Sequence, residues 1–458
     1  MMSWTAAIKR ALICTVFAMA FAGVGTTFAQ GDITIRWAMH PGVWNDAAMN
    51  HFAPLYSEIT PGVTVVVELL PPDEIRDKMA LEAAARTNYY HMGYHSQAWF
   101  GFYHDRVADL TEFIEKYDFD LSAYSDTVIR GYMFNDIRPG EYIALPHYLS
   151  TTLFIYRKDW FDHPDEKAAF QERFGRELRV PQNQHEWYET ALFFTRDAGE
   201  TLAGEVLTQP VYGTADAMRY PSGAARSWLT LFYSMGFAGF DENFEPDFEG
   251  HPLMVEGAEW LRRLTEDTMP PQVLNWNLWE PIEFFREGRV AMSTMGSGGH
   301  SIVEADASAV KGLVGYTTIP VWEGNLSGKP IGASNLAGGG LLIFDTPHAE
   351  ETFKFVQWML EENSAEFLRR TGAFSRIEHF EDPVMSARPY FDEWAAAFAQ
   401  QVDYAFLRQG IPEYGTVIFA MAGDFWNDVL SGDLTPQQAA ERWAREMRRE
   451  FRAAGYYN

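Results

Sequence analysis

The stretch Glu141-Tyr-Ile-Ala-Leu-Pro-His-Tyr-Leu-Ser-Thr-Thr-Leu-Phe-Ile-Tyr-Arg-Lys-Asp-Trp-Phe161 decides how this chain is organised. It holds two short apolar runs, Tyr142–Leu145 and Leu153–Tyr156, separated by Pro146, His147, Ser150, Thr151 and Thr152. Four β-prone residues in a row read as a buried strand, and Pro146, which has no amide donor, is expected to end or kink the first one. A chain that leaves one sheet and enters another needs such a pair of strands.

Upstream of it, Ile33–Met39 alternates as a strand, and the loop His40–Asn45 leads to an amphipathic helix ending near Ile59. Val63–Leu69 is a second β-rich run, and residues 73–86 have helical spacing with Asp73 as the expected cap. Tyr89–Tyr94 reads as a third strand. Strand, helix, strand, helix is the signature of a parallel sheet. Downstream, helices are expected at Gln184–Thr195, Ser227–Met235, Gly257–Glu266 and Pro281–Gly288. The last of these leads into a strand at Arg289–Met295 and the loop Gly296–Gly299. A short strand at Leu341–Phe344 precedes the helical pattern Ala349–Glu361, and the carboxyl third is helical, ending with Thr435–Ala454. No repeat and no linker divides the chain. Two lobes without a linker imply that the chain crosses between them more than once.

At the amino terminus, Lys9 and Arg10 precede the apolar run Ala11–Val24, and Thr27-Phe28-Ala29 offers small residues before Gln30. A positive start, a short apolar core and a small-residue exit read as a secretory signal peptide, residues 1–29, cleaved near Ala29. The run is too short for a bilayer span. The single cysteine, Cys14, lies inside this segment, so thiol catalysis and thiolate metal sites are excluded from the remaining 429 residues. That length suits two lobes. The 458-residue chain carries 36 basic and 63 acidic residues, a net charge of −27, spread along its length without a basic patch. Such a surface repels nucleic acid and anionic membranes. Fifteen tryptophans stand out, because an indole needs a partner for its N–H and favours sites that are half apolar and half wet.

The 141–161 stretch resembles the lobe-crossing segment of extracellular solute-binding proteins of family 1, the sugar-type receptors of ABC importers. Their pattern is Tyr-x-(small or apolar)-Leu-Pro, then apolar residues, then Tyr-Arg/Asn-Lys-Asp-x-Phe. Phe284-Phe285-Arg286-Glu287-Gly288-Arg289-Val290-Ala291-Met292 is similar to the family's Phe-x-x-Gly-Lys-Ala-Ala-Met. Ala337-Gly338-Gly339-Gly340 with Phe353–Leu360 resembles its Gly-Gly turn and following helix, and Ser431–Ala439 its closing Gly-x-x-Thr-Pro-x-x-Ala. Two departures are visible: Gly372-Ala373-Phe374-Ser375-Arg376 lacks the usual proline, and Arg157 replaces Asn or Asp.

The resemblance implies an α/β fold of two lobes, the type II periplasmic-binding-protein-like fold, with a ligand cleft between them and crossings near 146–150, 295–298 and 344–347. Lobe 1 would comprise 30–146 and 297–344, and lobe 2 147–296 and 345–458. It implies a monomeric periplasmic receptor, without cofactor or metal, that captures a neutral mono- or oligosaccharide or polyol and presents it to a membrane ABC permease.

A sugar needs amide, carboxylate or imidazole partners for its hydroxyls and flat rings for its C–H faces. Strand-end loops holding both are the candidates. Lobe 1 offers Trp44, Asn45, His95, Ser96, Gln97 and Trp99, and the crossings offer His147, Tyr148, Met295, Gly296, Ser297 and His300. Lobe 2 offers Arg226, Trp228, Trp276, Trp279, Glu280, Tyr414 and Phe419. Trp160, Trp260, Trp358 and Trp443 sit on helical patterns and are assigned to the core. A phosphorylated solute held by Arg226 or Arg376 is the alternative within the fold. A secreted carbohydrate-active enzyme using Glu280 and Glu283 is the alternative outside it. His91, His95 and His104 suggest a metal site, but along a strand His91 and His95 share a face and stand too far apart for an easy chelate, and no Gly-x-Ser-x-Gly elbow or dinucleotide loop is present.

Overall fold

The computed structural model describes residues 33–40, 47–135 and 137–457, so the segment 1–29 and the pair Trp44 and Asn45 lie outside the described residues. Nine strands build two sheets: β1 (Ile33–Met39), β2 (Val63–Leu69), β3 (Met92–His95), β4 (Ala144–Ser150), β5 (Thr152–Arg157), β6 (Tyr212–Ala215), β7 (Val290–Gly296), β8 (Val314–Thr317) and β9 (Ala337–Ile343). The principal helices are α1 (Ala53–Ile59), α2 (Pro72–Ala85), α3 (Gln184–Phe194), α4 (Ser222–Ser234), α5 (Pro252–Thr268), α6 (Glu280–Arg286), α7 (Ala349–Gln357), α8 (Phe391–Asp403), α9 (Met421–Ser431) and α10 (Pro436–Ala453).

Lobe 1 is a five-stranded sheet in the order β2-β1-β3-β9-β4, and lobe 2 a four-stranded sheet in the order β8-β5-β7-β6. Alternation along each strand feeds two different cores, as a pleat requires. On β1, Ile35, Trp37 and Met39 join the core built with α1 and α7, where Trp37 meets Phe355 edge to face at 6.0 Å. Ala38 points the other way, into the smaller core of Ile75, Met79 and Ala83 on α2. On β5, Leu153 and Ile155 face one layer and Phe154 the other, against Trp187. The closing motif acts as a helix start: Thr435 and Gln438 form a reciprocal capping box with Pro436 at the first helical position of α10.

Pro146 does not end the first strand. It sits inside β4, an edge strand, beside an irregularity in the register with Gly339 and Gly340. An edge strand is where a residue without an amide donor costs least. At α2 the cap position is occupied by Pro71 rather than Asp73.

The lobe boundaries also differ from expectation. β8 pairs with β5, so the region after Ser297 stays with lobe 2 through Thr317. β9 pairs with β3 and β4, and α7 packs on the same sheet, so the chain does not cross at 344–347. The crossings lie at 150–152, at 333–337 and near 371–375. At the last, Phe374 O accepts from Leu149 N (2.7 Å) while its ring lies 4.8 Å from Trp394 of α8. A hydrophobic pattern marks strands, but it cannot tell which sheet a strand joins.

Buried hydroxyls tie the 150–152 and 333–337 crossings to each other and to the end of β7. Ser150 Oγ and Ser297 Oγ stand 3.2 Å apart, and Thr151 O accepts from Ser297 N at 2.8 Å. Ser334 Oγ accepts from Thr151 Oγ1 (3.1 Å) and from Thr152 N (2.8 Å), and donates to Asn335 O (3.0 Å). Ser334→Ala leaves two buried donors without an acceptor, so we predict a loss of about 1–3 kcal/mol. Chemical denaturation of the variant checks this, and an unchanged midpoint would show that the hinge tolerates the loss.

Candidate functional site

Strand direction puts the open ends of both sheets against each other. β1, β3 and β4 are mutually parallel, with β9 antiparallel between β3 and β4. The carboxyl ends of β1, β3 and β4 and the start of β9 therefore share one edge. In lobe 2, β6 and β7 are parallel and β5 is antiparallel to β7, so Asp216, Ser297 and the start of β5 share an edge too. Only Thr151 separates β4 from β5, so the two edges meet at the hinge. In open α/β sheets this is where ligands bind.

On the lobe 1 side, the end of β3 presents Tyr94, His95 and Ser96. The Tyr94 hydroxyl donates to Gly338 O at 2.5 Å, and its ring meets His40 (4.9 Å) and Trp99 (6.1 Å) edge to face. Gly338 has φ +96°, and a Cβ there would lie 2.2 Å from Tyr148 O, so only glycine admits this approach. The Tyr132 hydroxyl donates to Ala337 O. Burial pushes the Tyr94, Tyr132 and Tyr148 hydroxyls above the ordinary tyrosine range. His95 is fully buried, its ring 5.4 Å from Phe100, and neither ring nitrogen hydrogen-bonds a protein atom. Burial, helped by Arg408, pulls its pKa down to about 3, so it is neutral.

The lobe 2 side brings Asp216 at the end of β6 and the turn carrying Trp276 and Trp279, which precedes α6. Trp276 O accepts from Arg219 N (2.9 Å), tying that turn to the loop after β6. Trp279 is 42% exposed. A second contact closes the seam: a Cβ on Gly101 would lie 2.3 Å from Pro412 O. Ser96, just upstream, accepts from Arg408 Nη1 at 3.1 Å.

A model of the family described as bacterial extracellular solute-binding protein matches residues 42–366, well over half of the chain. The chain belongs to that family. Three solved structures share the family's fold with it. A solute-binding protein from Agrobacterium radiobacter K84 in complex with ribitol is 23% identical, with a TM-score of 0.76 over 92% of this chain and 99% of that one. One from Agrobacterium vitis S4 with bound D-mannitol is 20% identical, with a TM-score of 0.75 over 93% and 100%. Maltose-bound MalE3 of T. maritima is 19% identical, with a TM-score of 0.74 over 91% and 99%. These likenesses show the type II two-lobe fold. Among the described residues no helix is long and apolar enough to cross a membrane.

Of the residues singled out from the sequence, His95, Ser96, Trp99, Tyr148, Gly296 and Ser297 gather at this seam, with Trp276, Trp279 and Glu280 on its lobe 2 rim. The Gln97 backbone follows Ser96, and its side chain lies outside the described residues. Others do not reach it. Trp228 is a core residue, fully enclosed and stacked on Trp426 at 5.9 Å, as its place on the apolar face of α4 requires. Met295 points into the core on the alternating face of β7. His147 is buried against Phe367, and His300 is enclosed by Trp394 and Tyr390. Tyr414 is buried with its hydroxyl 2.6 Å from that of Tyr233, and Phe419 packs on the lobe 2 core. Arg226 is held by Asp216 at 2.8 Å. Trp160, Trp260 and Trp443 are buried as expected, and Trp358 is partly so. The sequence reading missed Tyr94, Tyr132, Asp216 and Arg408. Arg408 had only the turn signal of Gly410 and Pro412 beside it.

Two predictions follow from this geometry. His95, His147 and His300 are each held at about 3 by burial, against an ordinary 6.5. As pH falls below 6.5 the unfolded chain takes up protons that the folded chain refuses. Stability therefore drops, by roughly tenfold in the folding constant per pH unit for each histidine. Urea midpoints measured from pH 7 to pH 5 should fall steadily, and a flat profile would contradict it. Gly101→Ala should wedge the seam at Pro412, weakening ligand affinity by about tenfold or more while both lobe cores stay folded. Calorimetric titration beside near-ultraviolet circular dichroism separates the two effects.

Proposed function

We propose that this protein is a periplasmic receptor of an ABC importer, capturing a neutral carbohydrate, a mono- or oligosaccharide or a polyol. Its mechanism is closure of the two lobes about the 150–152, 333–337 and 371–375 crossings, delivery to the membrane permease, and reopening. No bond is made or broken. The observation that carries the reading is the seam itself. Aromatic rings come from both lobes, Tyr94, Trp99 and Tyr148 on one side and Trp276 and Trp279 on the other, next to hydroxyl and imidazole groups kept neutral. Rings receive the C–H faces of a sugar, and neutral polar groups receive its hydroxyls. The ribitol, mannitol and maltose in the similar structures are of that chemistry.

A hinge closes on ligand only when contacts from both lobes are better satisfied in the closed form. Neither alternative gains an observation. Arg226 and Arg376, the arginines proposed for an anionic solute, are both committed, Arg226 to Asp216 and Arg376 to Asp120 and Glu378. Of the acid pair proposed for hydrolysis, Glu283 is paired with Arg286 and Glu280 accepts from its own turn at Asn277 N. Removal of the amino-terminal segment near Ala29 and a monomeric state complete the reading.

A thermal-shift screen of residues 30–458 against monosaccharides, oligosaccharides, polyols, glycerol phosphates and amino acids tests it. Stability should rise with one sugar or polyol class, by about 2.7 kcal/mol at a hundredfold excess over Kd. A response to phosphorylated ligands alone would overturn the neutral-carbohydrate claim and leave the family assignment intact.

A further inference from the structure

Arg408 is a lobe 2 residue placed by the hinge. Phe406, two positions earlier, donates its amide to Ser334 O (2.7 Å) and accepts from Leu336 N (3.0 Å). Its ring stacks on Tyr233 at 4.0 Å and 12°. Two backbone bonds to a crossing strand and one ring stack thus fix where the chain leaves for Arg408. From there the guanidinium reaches across the seam to Ser96 at the end of β3.

Groups that face it electrostatically include Tyr94, Tyr132, Tyr233 and Tyr414, all held protonated by burial, and the neutral His95. No carboxylate lies within ion-pair distance of Arg408 among the described residues, although the chain carries 63 acidic side chains. Three of these tyrosines already spend their proton or lone pair within the protein, Tyr94 on Gly338 O, Tyr132 on Ala337 O and Tyr233 on the Tyr414 hydroxyl. Arg408 is half-buried and spends one N–H on a neutral serine oxygen. A guanidinium has five N–H donors in a planar fork, so most of its capacity at the seam is uncommitted.

We infer that Arg408 is the specificity-determining donor that lobe 2 contributes to the ligand, its fork directed at neighbouring hydroxyl oxygens of a carbohydrate held on lobe 1. The Ser96 bond is the interlobe latch that the ligand replaces or joins. The latch uses one N–H of the fork on a single serine oxygen, so a ligand offering two oxygens to the fork outcompetes it by making one more charge-assisted bond. The hinge register of Phe406 couples that contact to lobe closure. This inference rests on the carbohydrate reading above and adds to it the residue through which lobe 2 senses the sugar.

Calorimetric titration of wild type, Arg408→Gln and Arg408→Lys with ribitol, D-mannitol, maltose and gluconate tests it, beside the unfolding midpoint of each protein without ligand. For whichever neutral probe binds wild type, Arg408→Gln should raise Kd about tenfold or more. Arg408→Lys, which keeps the charge and loses the fork, should raise it less. The ligand-free midpoints should coincide, which a merely structural role for Arg408 would not allow. A Kd for Arg408→Gln within twofold of wild type overturns the inference and leaves the carbohydrate reading standing. Binding of gluconate alone, abolished by Arg408→Gln, overturns the neutral-carbohydrate reading and upholds Arg408 as the ligand donor, and binding of none of the four probes to wild type overturns both.

Discussion

The structure depends on a single short connection. β4 runs into β5 with only Thr151 between them, so a strand that ends one sheet begins the other. Had a longer loop intervened, the carboxyl edges of the two sheets could have pointed anywhere. With one residue, they face each other. The cost of so tight a passage is a set of backbone and hydroxyl groups that leave their ladders inside the protein, and buried polar groups must be paired. Ser150, Ser297 and Ser334 supply the partners, binding two of the crossings and the end of β7 into one narrow strip of hydrogen bonds. Short hydroxyl contacts resist separation of the crossings but allow small rotations about them, which is the property a hinge needs.

From that strip the candidate site follows by geometry. The strands deliver polar and aromatic residues only at their ends, because everything along their length is consumed by packing on both faces. The same rule explains why Trp228, Met295 and His147 are enclosed while Tyr94 and Tyr148 are only partly so. Side chains one position apart on a strand, or about half a turn apart on a helix, go to opposite sides of a layer. Burial then sets the electrostatics. On the lobe 1 side the seam presents the His95 imidazole and the Tyr94 and Tyr148 phenols, all uncharged, and the cation that reaches them at Ser96, Arg408, comes from the opposite lobe.

Much of this was legible in order. β1 and β2 have the bounds the sequence assigns them, and the β7 strand, the final helix near Thr435 and the family resemblance all rest on local patterns that a linear reading can see. Lobe membership was not legible. β8 and β9 are both short, glycine-containing strands, yet one pairs with β5 and the other with β3 and β4. Nothing within either run says which, since partner choice is settled by long-range pairing and by the helices that cover each face.

The sequence by itself determined that this chain forms strands and helices in an α/β order, that it is acidic and lacks cysteine beyond position 14, and that its motifs run in the order of the solute-binding family. These are properties of neighbours in the chain. Only the tertiary structure decided which tryptophans are core and which are rim, where the chain crosses between lobes, and that Arg408 meets Ser96 across 312 positions. Those are properties of neighbours in space, and they arise where two sheets, each complete in itself, are forced edge to edge by a one-residue hinge.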